Sequence, residues 1–212
     1  MPNYRRAWRL GGTWFFTVNL LECHGNDRLI RHIDLLRQAV RVVKRSHPFG
    51  IYAWVVLPDH LHCVIELPEG DSDFALRWRL IKLLFSRALP KTERLSAVRQ
   101  RRGERGIWQR RYWEHLIRDE RDFAAHMDYV HINPLKHGLV RAVRDWPYST
   151  FHRLVATGVY PVDWQMVGRR RLCRMRIDHL AYGAMLRDCA LRELFRARVA
   201  GMKNVVIQHR MP

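Results

Sequence analysis

A length of 212 residues suits one domain of moderate size with appendages, and an apolar fraction of 48% is enough to build a core. The formal net charge of +18 is carried mostly by arginine, the side chain best shaped to grip phosphate through two parallel hydrogen bonds, so it predicts a polyanionic partner. No apolar run approaches the ~18 residues of a membrane span, and no basic, apolar and small-residue leader pattern opens the chain, so the expectation is a cytoplasmic protein with no membrane partner.

After a basic start (Arg5, Arg6, Arg9), Gly11-Gly12 predicts a turn and Thr13 to Leu20, rich in Trp, Phe, Thr and Val, a first strand. From Asn26 to His47 the apolar residues Leu29, Ile33, Leu36, Val40 and Val43 recur at spacings of 4, 3, 4 and 3, which predicts one amphipathic helix capped by Asn26. Pro48-Phe49-Gly50 breaks it. Ile51 to Val56 and His60 to Leu67 then read as a hairpin turned at Pro58-Asp59. Helical spacing returns over Ser72 to Leu89, followed by a basic loop from Arg99 to Arg105.

Trp108 to Ile117 predicts a fourth strand and Asp119 to His131 a helix, ended by Asn133-Pro134 because a residue before proline disfavours helical angles. Trp146-Pro147-Tyr148-Ser149 is expected to pin a short helix. This order predicts an α+β fold, a mostly antiparallel sheet with helices packed against it. From Gln165 the composition turns strongly Arg-rich, with fragments of helical pattern such as Leu180 to Ala197. The expected boundary near Trp164 separates a domain over 1–164 from a basic extension over 165–212. Cys23, Cys63, Cys173 and Cys189 form no Cys-x-x-Cys or zinc-finger spacing and read as reduced thiols.

Two places carry chemistry. Alternation along the third strand puts His60, His62, Val64 and Glu66 on one face and Leu61, Cys63, Ile65 and Leu67 on the other, so two imidazoles share a side on which they can converge on one divalent ion. Read alone, His-Leu-His is a weak signal, and a half-exposed strand accounts for it without a metal. In the later helix, Phe123, Met127 and Val130 form the apolar stripe, and Tyr129 and Asn133 lie about 100° around the cylinder from it. A phenol there, one turn from an amide oxygen, offers an attacking oxygen and a metal ligand to one phosphate; an isolated tyrosine more often fills a helix–sheet seam with its hydroxyl at the rim.

The pieces in order are Tyr4-Arg5-Arg6, Gly11-Gly12-Thr13-Trp14-Phe15-Phe16-Thr17-Val18, Leu57-Pro58-Asp59-His60-Leu61-His62, Trp108 to His115, Tyr129 to Val140, and Trp146 to Phe151. Together they resemble the HUH-type (Y1) tyrosine transposases, in the branch of the REP-associated tyrosine transposases. The resemblance spans roughly Asn3 to Trp164. It implies a ferredoxin-like fold, RRM-like in its sheet, with His60 and His62 as paired metal ligands, Asn133 as the third and Tyr129 as the nucleophile. It further implies cleavage of single-stranded DNA through a 5′-phosphotyrosine with Mg²⁺ or Mn²⁺, on a palindromic hairpin flanked by a tetranucleotide, by a monomer or a homodimer. Arg5 and Arg6 are the expected readers of that tetranucleotide.

Arg77, Arg79, Lys82 and Arg87 flank the second long helix, and with Arg110 and Arg111 they predict a phosphate track; Lys136 predicts a further phosphate contact. Trp108, Tyr112 and Trp113 are expected to pack in the core rather than to stack bases. The competing function is a non-catalytic or domesticated nucleic-acid hairpin-binding protein of the same fold.

Overall fold

The computed structural model describes residues 9–23, 25–91, 93 and 97–165. Arg5, Arg6 and all but the first residue of the expected extension lie outside the described residues, together with Cys173 and Cys189. The chain divides into two compact units, one running to Ile117 and including Tyr148–Thr150, the other formed by Arg118–Pro147 and the chain from Phe151.

The first unit is a four-stranded antiparallel sheet of β1 (Gly12–Asn19), β2 (Gly50–Val56), β3 (His60–Leu67) and β4 (Trp113–Leu116) in the order β2-β3-β1-β4. With its intervening helices this is the predicted ferredoxin-like α+β fold. Gly11 and Gly12, at φ 68° and 92°, make the turn into β1 in a region that side-chain-bearing residues resist. Leu57 N–H donates to the His60 carbonyl at 2.8 Å, closing the β2–β3 hairpin over Pro58-Asp59. Trp14, Phe16, Val18, Leu61, Cys63, Ile65 and Leu67 face a core completed by α2 (Ile33–Ser46) and α3 (Phe74–Ala88), which pack on one side of the sheet through Leu36, Val43, Trp78 and Phe85. The apolar alternation of β1 and β3 is what commits that side to the helices.

Three expected elements of this unit are redrawn. The first helix is two pieces, α1 (Arg28–Arg31) and α2, separated at His32 (φ −115°, ψ 37°). Leu29, Leu36 and Val43 are still buried, so the spacing persisted across the break and concealed it. Asn26 caps no long helix; its amide oxygen accepts from Arg28 N–H at 3.1 Å. The fourth strand is trimmed to Trp113–Leu116, preceded by an isolated bridge between Leu20 and Trp108; Gln109 N–H still donates to the Asn19 carbonyl at 3.0 Å, its own carbonyl accepts from Lys82 Nζ at 2.9 Å, and residues 110–112 stand outside the ladder. Overlapping the start of the expected loop, Ala97–Arg101 form a short helix, α4.

In the second unit α5 (Glu120–Lys136) starts at Asp119, whose carboxylate accepts from Asp122 N–H at 2.8 Å. It continues through Pro134 instead of stopping there. The proline lies in the last turn and removes one hydrogen bond, and the burial of Ile132, Asn133 and Pro134 offsets that loss. A 3₁₀ turn (Val143–Asp145) and α6 (Phe151–Ala156) follow, and Phe151, Tyr160 and Trp164 cluster against His131. Tyr148–Thr150, ahead of α6, run along β2 in the first unit: Val56 N–H donates to the Tyr148 carbonyl at 2.9 Å and Thr150 N–H to that of Trp54 at 2.9 Å.

Candidate active site and nucleic-acid interface

His60 opens β3 and His62 follows two residues on, so the pleat carries both rings to the same side. Their centroids are 4.9 Å apart with planes at 84°. His60 Nδ1 is 2.7 Å from a carboxylate oxygen of Asp59, and His62 Nδ1 is 2.8 Å from the Thr17 hydroxyl on β1. Phe15 lies nearly parallel to the His62 ring, at 5.9 Å and 14°. Two imidazoles brought together this way suit a divalent metal ion.

On α5, Tyr129 is half-buried, and Asn133 one turn further is fully buried. Burial pushes the Tyr129 phenol above its ordinary value, and hydrogen bonding by the Asn133 side chain pulls the other way. The Asn133 amide nitrogen donates to the Tyr129 carbonyl, while Oδ1 has no hydrogen-bond partner among the described residues. An amide oxygen so placed costs about 1–3 kcal/mol if it stays unmatched, so the donor chemistry fits a metal ligand. Lys136 Nζ stands 5.0 Å from the centre of the Tyr129 ring, and burial lowers its pKa. The buried side of α5 also takes in Asp122, His126, Asp128 and His131, which is wider than the apolar stripe suggests.

The expected phosphate track meets one correction. Arg77 is buried, its guanidinium donating to the carbonyls of His47, Asp73 and Pro48 and to Asp71 at 2.6 Å. That burial makes Arg77 part of a structural ion pair rather than a surface cation, and the same hydrogen bond holds the Asp71 carboxyl below its ordinary pKa. Arg79, Lys82, Arg110 and Arg111 instead line one cleft of about 1110 Å³ in the first unit, with Trp108 and Tyr112. Arg79 and Arg111 are exposed; Arg110 pairs with Glu104 at 2.9 Å. Lys82 Nζ lies 5.7 Å from the Trp108 ring centre and 5.2 Å from that of Tyr112, and burial lowers its pKa to about 8. Trp108 and Tyr112 pack against the core as expected, whereas Trp113 is 53% exposed.

Sequence reading missed Thr17 and Asp59 as neighbours of the histidines. Asp59 was legible only as a turn residue; Thr17 becomes visible once β1 and β3 are put in register, Thr17 opposite His62. It also missed the buried hydrogen bond from the Tyr160 hydroxyl to Asp128, 2.7 Å. Among the described residues no helix is long and apolar enough to cross a membrane.

No family model matches the chain. It is 51% identical over 164 residues to a REP-associated tyrosine transposase of Escherichia coli (strain K12), a match covering 77% of this chain and 91% of that protein. A second relative, from Haemophilus influenzae, is 47% identical over 165 residues, covering 77% of this chain and 93% of its own. Among solved structures, a REP-associated tyrosine transposase bound to a REP hairpin matches with a TM-score of 0.68 at 47% identity, over 84% of this chain and 100% of that one. A structural match with a TM-score of 0.68 to that transposase, and half of the residues shared with a named transposase across most of both chains, place this protein among the REP-associated tyrosine transposases.

Proposed function

We propose that this transposase cuts and rejoins single-stranded DNA through Tyr129. The phenolic oxygen attacks the scissile phosphorus and loses its proton; the bond from phosphorus to the 3′ oxygen breaks, and that oxygen leaves as a 3′-hydroxyl. The 5′ end stays on the protein as a phosphotyrosine, which conserves the bond until another 3′-hydroxyl displaces the tyrosine. His60, His62 and Asn133 hold a divalent ion, Mg²⁺ or Mn²⁺. When bound, the ion neutralises charge on the phosphate. Ligands of nitrogen and amide oxygen without thiolate are compatible with either ion.

By likeness to the hairpin-bound relative, the DNA is a REP-like hairpin; in this reading a flanking tetranucleotide is recognised by Arg5 and Arg6. Arg79, Lys82, Arg110, Arg111 and Lys136 contact phosphates, and the protein works in the cytoplasm as a monomer or homodimer. The observation that carries this reading is the adjacent pair of imidazoles on β3 in a chain that belongs to a tyrosine-transposase family.

The test uses the full chain, Mn²⁺ and single strands carrying hairpins from the source genome. A covalent protein–DNA adduct that survives denaturation is expected, and it disappears with chelator, with Tyr129→Phe and with His62→Ala. An adduct that persists in Tyr129→Phe moves the nucleophile elsewhere. Tight binding with no adduct from the wild type favours the non-catalytic hairpin-binding protein.

A further inference from the structure

Each histidine of the pair has an oxygen at the same ring position. His60 Nδ1 is 2.7 Å from Asp59 Oδ1, and His62 Nδ1 is 2.8 Å from Thr17 Oγ1. The two contacts have independent origins. Asp59 belongs to the β2–β3 turn, where its own carbonyl accepts from Leu20 N–H at 2.8 Å. Thr17 is directly opposite His62 in the β1–β3 register, which puts both side chains on one face. Phe15, stacked on the His62 ring, restricts its rotation further.

An imidazole ligates a metal only through a nitrogen without a proton, and a neutral ring has one such nitrogen. A carboxylate oxygen only accepts, so Asp59 requires the proton of a neutral His60 to sit on Nδ1. A threonine hydroxyl can accept from Nδ1–H in the same way. Both rings then carry their lone pair on Nε2, the atom furthest from the backbone, and the hydrogen bonds make those nitrogens better donors.

We propose that Thr17 and Asp59 are positioning residues that fix His62 and His60 in the Nδ1–H tautomer and present both Nε2 atoms to the divalent ion. The proposal rests on the metal reading of the pair. Neither residue touches the ion: Thr17 acts across the sheet and Asp59 through the turn. Thr17→Val keeps the shape and deletes the hydroxyl; Thr17→Ser keeps the hydroxyl. Asp59→Asn keeps an acceptor that Asp59→Ala removes.

Two measurements on the full chain test it. Long-range proton–nitrogen NMR without metal, at a pH where the imidazoles are neutral, reads the tautomers directly. The wild type is expected to show Nδ1–H at His60 and His62, with His62 shifting toward Nε2–H in Thr17→Val and His60 in Asp59→Ala. Titration with Mn²⁺ alone, followed by calorimetry, is expected to show affinity about 10- to 100-fold weaker in Thr17→Val and Asp59→Ala, with recovery in Thr17→Ser and partial recovery in Asp59→Asn. Nε2–H at His62 in the wild type overturns the proposal. So does Mn²⁺ affinity within twofold of wild type in Thr17→Val and Asp59→Ala while His62→Ala binds poorly. If the wild type and His62→Ala bind Mn²⁺ alike, the metal reading itself falls, and the proposal with it.

Discussion

The Lys136 ammonium stands 5.0 Å from the centre of the Tyr129 ring, seven residues along the same helix. Burial raises the phenol's pKa, which works against a nucleophile that must lose its proton, and the Asn133 hydrogen bond lowers it; a cation beside the ring favours the phenolate on general grounds as well. Lys136→Met is therefore expected to move the alkaline limb of the adduct-formation rate to higher pH. At neutral pH the rate falls about tenfold for every pH unit by which the limb moves. Lys136→Arg retains most of the rate. A pH–rate profile of adduct formation decides, because a purely phosphate-binding Lys136 changes the dependence on DNA concentration and leaves the limb in place.

Arg77 and Arg79 are two residues apart on α3, one buried and one exposed, so opposite outcomes are expected. Arg77→Met leaves Asp71 and three carbonyls without their donor and lowers stability by about 3 kcal/mol, read as a shift in the urea midpoint. Its hairpin affinity, measured where it is folded, stays near wild type. Arg79→Ala leaves the midpoint unchanged, weakens hairpin binding and reduces the salt dependence by about one released ion.

Lys82 is a cation held among aromatic rings at a desolvation cost that lowers its pKa to about 8. The protein is thus expected to keep or gain thermal stability in Lys82→Met while losing hairpin affinity. A loss of both would make Lys82 a structural anchor for residues 109–112 through its bond to the Gln109 carbonyl.

His131 is fully enclosed, and burial lowers its pKa to about 3. The unfolded chain takes up that proton near pH 6.5, well before the folded one. Stability from this group is accordingly complete above about pH 6.5 and falls by roughly 1.4 kcal/mol per unit as pH descends toward 3. Urea midpoints at pH 7.5 and 5.0 measure the loss, and a neutral replacement such as His131→Gln is expected to flatten that part of the profile.

The Tyr160 hydroxyl donates to the carboxylate of Asp128, the residue next to Tyr129, and both ends are buried. Tyr160→Phe keeps the ring packing and removes the donor. A destabilisation of about 1.5–3 kcal/mol is expected, as for other hydrogen bonds to charged groups, visible as a lower melting temperature. Tyr160→Phe melting at the wild-type temperature would show that Asp128 does not depend on this bond.

The sequence by itself determined the four strands, the long helices and the shared face of His60 and His62, because periods of 2 and about 3.6 residues are local properties that survive folding. Motif order was also enough to identify the family. Only the tertiary structure decided what lies across from each residue. The spacing of α3 marks Arg77 as a flank, yet four acceptors from Asp71, Asp73 and the His47–Pro48 turn draw it inward. Pro134 announces a helix end, yet burial of the segment carries the helix past it. Thr17 is one alternating residue among eight until the antiparallel register sets it against His62, since register depends on which strand arrives and how far it slides.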